Sequence, residues 1–390
     1  MLFLFALAGG ILVSVLSLLS ALYRLMTLRR PRSGQPMVAT AILPLTGSAP
    51  RLEQLVAALD RQTMKPRRLI IALESEADPA FARARSVVAS ASFPIEIVVA
   101  GPAVAQGQKC RNQQAALARI EPPDEAIILL DGDILPQEWW VSALISPLAE
   151  DHSDLVTGLR WQRPVAPRLG AHLIAAIDRS IVILPRFEDV QVVWGGSVAM
   201  TVPAARRMDL SGCLERTLSD DLTVASRAAA AGLRILTRGA LLVPSPSQAG
   251  LVSAWRFVRR QYQMGRIYRP GLWLLAVASI GIRLLAWILA LSGLLLGYHL
   301  GWAVVALAGL GLLKQALVGE VARRVGMPDP AGVRAAQLAL GLLQPLVDLF
   351  HFAAVVSAGW TRHVEWSHVV YEVAGPDSIR VKERRPFIAA

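Results

Sequence analysis

Cysteine is almost missing: Cys110 and Cys213 are the only two in 390 residues, too few for a disulfide framework or a zinc site. That scarcity fits a catalytic region in a reducing, cytosol-facing compartment. No basic run is interleaved with aromatics in the manner of a nucleic-acid groove, so a nucleic-acid partner is not expected. Neither GxGxxG nor GxxxxGK[ST] follows the first apolar run, which disfavours a dinucleotide or P-loop site. What the chain has in excess is apolar and basic character, with 54% hydrophobic residues and a net charge of +11. The combination points to a membrane protein with basic cytoplasmic faces.

Residues 2–23 are almost wholly apolar and are followed by Arg24, Arg29, Arg30 and Arg32. The run is long enough to span roughly 30 Å of hydrocarbon. A charged segment before it and a small-residue cleavage site after it are both lacking, so residues 1–26 read as an uncleaved anchor rather than a signal peptide. The arginines behind it place residues 24 onward on the cytoplasmic side. Membrane helices are expected over 271–360. Leu272 to about Val318, broken near Gly297-Tyr298-His299-Leu300-Gly301, reads as a hairpin of two spans. Val333 to Trp360 is interrupted by Gln344-Pro345, Asp348 and His351. Counted as one span it would put the C-terminus outside, whereas Arg380, Lys382, Arg384 and Arg385 argue for a cytoplasmic tail over 361–390. The charges carry more weight, so one apolar stretch should lie in the interface or re-enter. The stretch from Leu272, with Arg283 inside it, is the candidate. The polar residues of the third block either face a cavity or partner, or serve helix–helix contact.

Residues 35–250 are enough for one α/β domain. Met37–Pro44, Leu69–Leu73, Ile95–Val99 and Ala126–Leu130 read as buried strands. Helices are expected at Leu52–Gln62, Ala80–Ala91 and Asn112–Ile120. Alternation of this kind means right-handed βαβ units and a mostly parallel, Rossmann-like sheet. Pro44, Glu74, the loop after Val99 and the pair Asp131/Asp133 then share the carboxyl edge, where open α/β sheets bind ligands.

Four stretches carry candidate chemistry. In Asp131-Gly132-Asp133 one carboxylate can meet a nucleotide's sugar while the other reaches a divalent ion on its phosphates. A surface turn is the plainer alternative. Trp194-Gly195-Gly196-Ser197 allows a backbone to approach a ligand closely at the glycines and offers a hydroxyl at Ser197, or is only a tight turn. Leu218-Ser219-Asp220-Asp221 precedes an expected helix over Val224–Ala231. Ser219 or Asp220 could simply cap it and the acids answer its dipole, but two adjacent carboxylates exceed what capping requires. Asp221 is the candidate general base. Residues 251–270, including Trp255-Arg256-Phe257-Val258-Arg259-Arg260, form a basic amphipathic interface segment. Its arginines meet lipid headgroups, or Arg259 or Arg260 offsets charge on a leaving diphosphate.

Glu74, Asp131-Gly132-Asp133, Asp220-Asp221 and Arg260-Gln261-Tyr262-Gln263-Met264, in this order between membrane segments, resemble the inverting family-two glycosyltransferases. The nearest branch is that of the ceramide glucosyltransferases, including bacterial hopanoid-associated members. The resemblance covers nearly the whole chain, down to Trp366-Ser367-His368-Val369-Val370-Tyr371, and implies a GT-A fold. It implies that Glu74 contacts the uridine end, where aspartate is more usual. Lys109 and Asn112 would belong to the donor-binding stretch together with Asp131, Gly196, Ser197 and Gln263. Asp131 and Asp133 would form a DxD motif, with Asp133 the principal ligand of Mg2+ or Mn2+. Asp221 would be the catalytic base, preceded by Asp220 where glutamate is common. Arg260 would begin the (Q/R)xxRW motif, with Gln263 and Met264 in place of its arginine and tryptophan.

The implied activity is inverting transfer of glucose or GlcNAc from a UDP-sugar to a hydroxyl of a membrane lipid, ceramide or hopanoid-type. It would take place at the cytoplasmic face of a bacterial-type inner membrane, in a multi-pass protein whose partners are the UDP-sugar, the lipid acceptor and the bilayer. Two rivals remain open. A processive polysaccharide synthase would share Asp131, Asp133 and Asp221 but needs a translocation channel. A non-catalytic membrane scaffold with a vestigial sugar-nucleotide domain is prompted by Glu74 and Gln263-Met264.

Overall fold

The structure, a computed structural model, describes residues 2–29, 34–186 and 192–387. Arg30 and Arg32, counted above among the charges behind the anchor, lie outside the described residues.

Four of the apolar runs form strands β1 (Ala39–Pro44), β2 (Arg68–Leu73), β3 (Ile95–Val99) and β4 (Ala126–Leu130). Helices α2 (Leu52–Asp60), α3 (Pro79–Val88) and α4 (Gln108–Leu117) lie between them. β1 pairs in parallel with β2 and β4, and β2 with β3. Every residue of β1 and β4 is buried, as expected of strands covered on both faces. Their side chains alternate between two cores: Ala39, Ala41, Leu43, Ile128 and Leu130 join one, Ile42, Ile127 and Leu129 the other.

The chain continues through α5 (Trp140–Ala149), β5 (Leu155–Pro164), α6 (Leu169–Val182), β6 (Ser197–Thr201), α7 (Val202–Arg207), α8 (Leu210–Cys213), α9 (Asp220–Ala230) and β7 (Ile235–Ser247). The seven strands stand in the order β3-β2-β1-β4-β6-β5-β7, with β6 antiparallel to both β4 and β5. The sheet is therefore mostly parallel and the class α/β. The reversed strand matters for the site, because the chain enters β6 at the edge where β4 leaves. Leu130 pairs with Ser197, and the Asp131 amide donates to the Gly196 carbonyl at 3.4 Å.

The chain forms two compact units, one of Arg30–Arg160, Arg186–Ser245 and Arg362–Ala390, the other of Met1–Arg29, Trp161–Pro185 and Pro246–Thr361. Within the first, residues 362–387 are more than the tail the sequence suggested over 361–390. β8 (His363–Trp366), β9 (Val369–Gly375) and β10 (Ser378–Arg384) form an antiparallel three-stranded sheet.

The second unit is helical: α1 (Leu2–Thr27), α6, α10 (Leu251–Tyr268), α11 (Pro270–Leu295), α12 (Gly301–Arg324), α13 (Ala331–Leu342) and α14 (Gln344–Ser357). Phe3–Thr27, Pro270–Leu295 and Gly301–Arg324 are long and apolar enough to cross a membrane. α1 packs on α11 through Gly10, where a Cβ would collide with that of Ala286, a close approach that small residues permit between membrane helices. The third apolar block is no straight span. α13 and α14 meet at 82°, where Pro345 lacks the N–H needed to continue the helix. The bend thus falls in this pair, whereas the stretch beginning at Leu272 is a continuous α11, in which Arg283 pairs with Asp348 of α14, Nη2 to Oδ1 at 2.5 Å.

Candidate active site

Lys109 stands at the centre of the sheet's carboxyl edge. α4 begins at Gln108, four residues before the Asn112 start expected from sequence, and so carries Lys109 in its first turn. The preceding Gly107 is extended and provides no side-chain cap. The Gln108 amide donates instead to the Tyr371 hydroxyl at 2.9 Å, which satisfies one of the helix's orphan donors. Lys109 Nζ lies 2.7 Å from Asp131 Oδ1 and 3.0 Å from Asp220 Oδ2. Burial alone would lower the Lys109 pKa, but Asp131, Asp220 and Asp221 together hold it well above the ordinary lysine value.

α9 begins at Asp220, so the acidic pair lies inside the helix's first turn, where negative charge is favoured. Asp220, expected to be catalytic, is only 1% exposed. Its Oδ2 accepts from Gln113 Nε2 at 2.8 Å as well as meeting Lys109. So enclosed, the carboxylate holds the Lys109 ammonium at Oδ2. Asp221 is half-buried, and both hydrogen bonds to its carboxylate converge on Oδ1, from the Ser219 hydroxyl at 2.6 Å and the Leu222 amide at 2.8 Å. Among the described residues Oδ2 accepts none, which leaves it available to take a proton. Burial first, then Asp220, raise the Asp221 pKa above the usual carboxylate range, with Lys109 and the two hydrogen bonds opposing.

The paired glycines are required by these acids. A Cβ on Gly195 would stand 2.5 Å from Asp220 Oδ2, and one on Gly196 would stand 2.5 Å from both Asp131 Oδ2 and the Trp194 ring. Gly196→Ala is therefore expected to push Asp131 or Trp194 aside and reduce activity about 10- to 100-fold, the scale of a misplaced site group, with little change in melting temperature. Steady-state rates beside thermal unfolding check this. Ser197, expected to offer a hydroxyl to the ligand, is fully buried and accepts from Trp140 Nε1 at 2.8 Å. Strand alternation turns its side chain inward. Asp133 is exposed, with Oδ2 accepting from the Ser245 hydroxyl at 3.1 Å.

Residues 9–379 match the family described as Glycosyl transferase family 21. The chain belongs to that family. Among solved structures, this family 21 glycosyltransferase resembles a mannosyltransferase from Pyrobaculum calidifontis in complex with GDP-Man and Mn2+, at 18% identity and a TM-score of 0.51, over 92% of this chain and 99% of that one. Weaker likenesses are to glucosyl-3-phosphoglycerate synthase from Mycobacterium tuberculosis (14%, TM-score 0.35, 57% and 78% covered) and to residues 1–349 of S. aureus TarS (13%, TM-score 0.39, 90% and 99%). The first likeness gives the family 21 chain a GT-A fold. No curated protein matches the chain.

The glycosyltransferase's remaining candidate residues divide between the two units. Glu74, at the end of β2, is buried. Its Oε1 accepts from Arg384 Nη1 at 2.5 Å, and its Oε2 lies 3.0 Å from His368 Nε2. Arg384 also donates to the Ala103 carbonyl through Nη2 at 3.0 Å, and His368 stacks on Phe387 with ring centroids 4.3 Å apart. Asn112, expected to bind the donor, is 1% exposed. It donates to the Leu45 carbonyl at 2.9 Å and accepts from Gln108 Nε2 at 2.9 Å. With both ends of its amide engaged, it ties α4 to Leu45, next after β1. Arg260 and Gln263 are on α10 in the helical unit. Gln263 is 3% exposed, and the Arg260 guanidinium lies 6.0 Å from the centroid of the Phe257 ring.

Sequence reasoning missed Gln113, Tyr371, His368 and Arg384. Gln113 was in view next to Asn112; the other three come from a segment read as a tail. For a metal, no three His, Cys, Asp or Glu side chains gather among the described residues. The exposed Asp133 with Asp131 two residues away still fits Mg2+ or Mn2+, because such ions bind through one or two carboxylates plus the substrate's phosphates.

Proposed function

We propose that the protein transfers one sugar, glucose or GlcNAc, from a UDP-sugar to a hydroxyl of a membrane lipid, ceramide or hopanoid-type, with inversion. The observation that carries the reading is the oriented Asp221 carboxylate beside the Asp131–Lys109–Asp220 cluster, at the carboxyl edge of a GT-A sheet. Asp221 Oδ2 takes the acceptor's proton while the acceptor oxygen attacks the anomeric carbon and the bond to UDP breaks. One displacement gives the inverted anomer. Lys109 holds positive charge next to the departing diphosphate. A divalent ion on Asp133 and Asp131 would supply Lewis-acid stabilisation of that charge.

Glu74 serves the uridine end through the bracket made by Arg384 and His368. Arg384→Met is then expected to raise the donor KM about tenfold, ~1.4 kcal/mol, with kcat little changed, in steady-state kinetics with the UDP-sugar varied.

Three crossings by α1, α11 and α12, with α13 and α14 as a re-entrant pair, fit the basic residues Arg29, Arg266, Arg323 and Arg324 to one cytoplasmic side. That count agrees with the charges and supports a reading in which catalysis takes place at the inner face of a bacterial-type membrane. The test is to incubate membranes holding the protein with labelled UDP-glucose, UDP-GlcNAc or UDP-galactose and to analyse extracted lipids by mass spectrometry. A lipid gaining one hexose or one N-acetylhexosamine, with UDP released, is expected. A polymer ladder, or no UDP release with a total lipid extract, would overturn the reading.

A further inference from the structure

A seam of polar groups runs through the apolar helices of the helical unit. The Tyr262 hydroxyl of α10 lies 2.5 Å from His351 Nε2 of α14. One turn before His351, the fully buried Asp348 accepts from Arg283 of α11, Nε at 2.7 Å and Nη2 at 2.5 Å. One turn earlier still, Gln344 Nε2 donates to Asp348 Oδ1 at 2.8 Å. α12 closes on this seam at the break between α13 and α14. A Cβ on Gly311 would collide with the Gly341 carbonyl oxygen and stand 3.5 Å from Gln344 Cβ. Lys314 is three residues beyond Gly311 and shares its helix face, with Arg283 and Asp348 as its charged neighbours.

Two groups in the seam are left over. Arg283 and Asp348 neutralise each other, but Lys314, 5% exposed, donates no hydrogen bond and joins no ion pair among the described residues. Gln344 Oε1 is a buried acceptor with no donor. Helix packing alone is served as well by an apolar side chain, and an ionisable group kept inside membrane helices marks a ligand or a pathway. The surplus positive charge selects an anion. The orphan amide oxygen selects a hydrogen-bond donor beside that anion, and the surrounding membrane-length helices select a lipid.

We propose that Lys314 and Gln344 bind a membrane lipid whose headgroup carries a phosphate next to a hydroxyl, the phosphate meeting Lys314 and the hydroxyl donating to Gln344 Oε1. The site does not depend on which lipid accepts the sugar. The full-length protein, delipidated in detergent, is titrated with short-chain phosphatidylglycerol, short-chain phosphatidylcholine or inorganic phosphate, and its melting temperature is followed. Phosphatidylglycerol is expected to raise the melting temperature of wild type and of Lys314→Arg. Lys314→Met should bind it about 10- to 100-fold more weakly, the worth of a hydrogen bond to a charged group. Phosphatidylcholine and inorganic phosphate should leave wild type unchanged. An undiminished response in Lys314→Met, or an equal response to phosphatidylcholine, would overturn the site. An equal rise with inorganic phosphate alone would overturn its assignment to a lipid. Should Lys314→Met fail to fold, the comparison of the three ligands on wild type and Lys314→Arg decides.

Discussion

Asp221→Asn is expected to lower sugar transfer by about 10²–10⁴-fold, the usual worth of a positioned general base, while UDP-sugar binding stays close to wild type. The substitution keeps Oδ1, which receives the Ser219 hydroxyl and the Leu222 amide, so the side chain stays in place. It replaces Oδ2 by an amide nitrogen that cannot take a proton. Single-turnover transfer beside calorimetric donor binding separates the two effects, and transfer within a few-fold of wild type would remove Asp221 from the mechanism. The wild-type pH profile adds a second check. A base works only when ionised, and burial with the neighbouring Asp220 raises the Asp221 pKa. The acid limb of kcat is therefore expected at higher pH than an ordinary aspartate would give.

Lys109→Met is expected to cost about 3–5 kcal/mol of stability, as when one partner of a buried ion pair is removed. It should also abolish measurable donor binding. The ammonium is the only cation shown within 4 Å of Asp131 and Asp220 among the described residues, and Asp220 has almost no access to solvent. The enclosed Asp220 and the half-buried Asp131 would be left with no counter-charge. Adding Asp220→Leu to Lys109→Met should recover part of the stability and none of the donor binding, since groups in one network are non-additive. Chemical denaturation of the detergent-solubilised single and double variants reads the first effect, and calorimetry with the UDP-sugar reads the second. Equal stability of wild type and Lys109→Met would show that the cluster contributes little to the fold.

The strands were legible because a sheet covered on both faces needs unbroken apolar runs, and Met37–Pro44 and Ala126–Leu130 are such runs. Asp131 and Asp133 drew notice because a carboxylate next to a run of this kind is conspicuous, and Asp221 because two adjacent acids exceed what a helix cap requires. The errors arose where a residue's partner was distant in sequence. Nothing near Gly107 announces a helix start, since the oxygen that receives the Gln108 amide belongs to Tyr371. The bracket around Glu74 was out of sight in the same way, since Arg384 stands 310 residues further along the chain. Ser197 and Asn112 looked like ligand contacts because polar residues near glycines and lysines suggest a site, but strand alternation and the α4 face turned both inward. The third apolar block could be read as a straight span because its composition allows one, and only the structure shows the 82° bend between its two helices.

The bond from Gln108 to Tyr371 and the bracket of Glu74 by Arg384 also bear on how the protein is made. A ribosome has synthesised every membrane-length helix and all seven strands of the large sheet before residues 363–384 emerge. Until then α4 lacks the oxygen at its first turn, and Glu74 lacks its guanidinium. A chain lacking residues 363–384 would keep every membrane-length helix and all seven strands of the large sheet, yet leave Glu74 and the first turn of α4 without these partners.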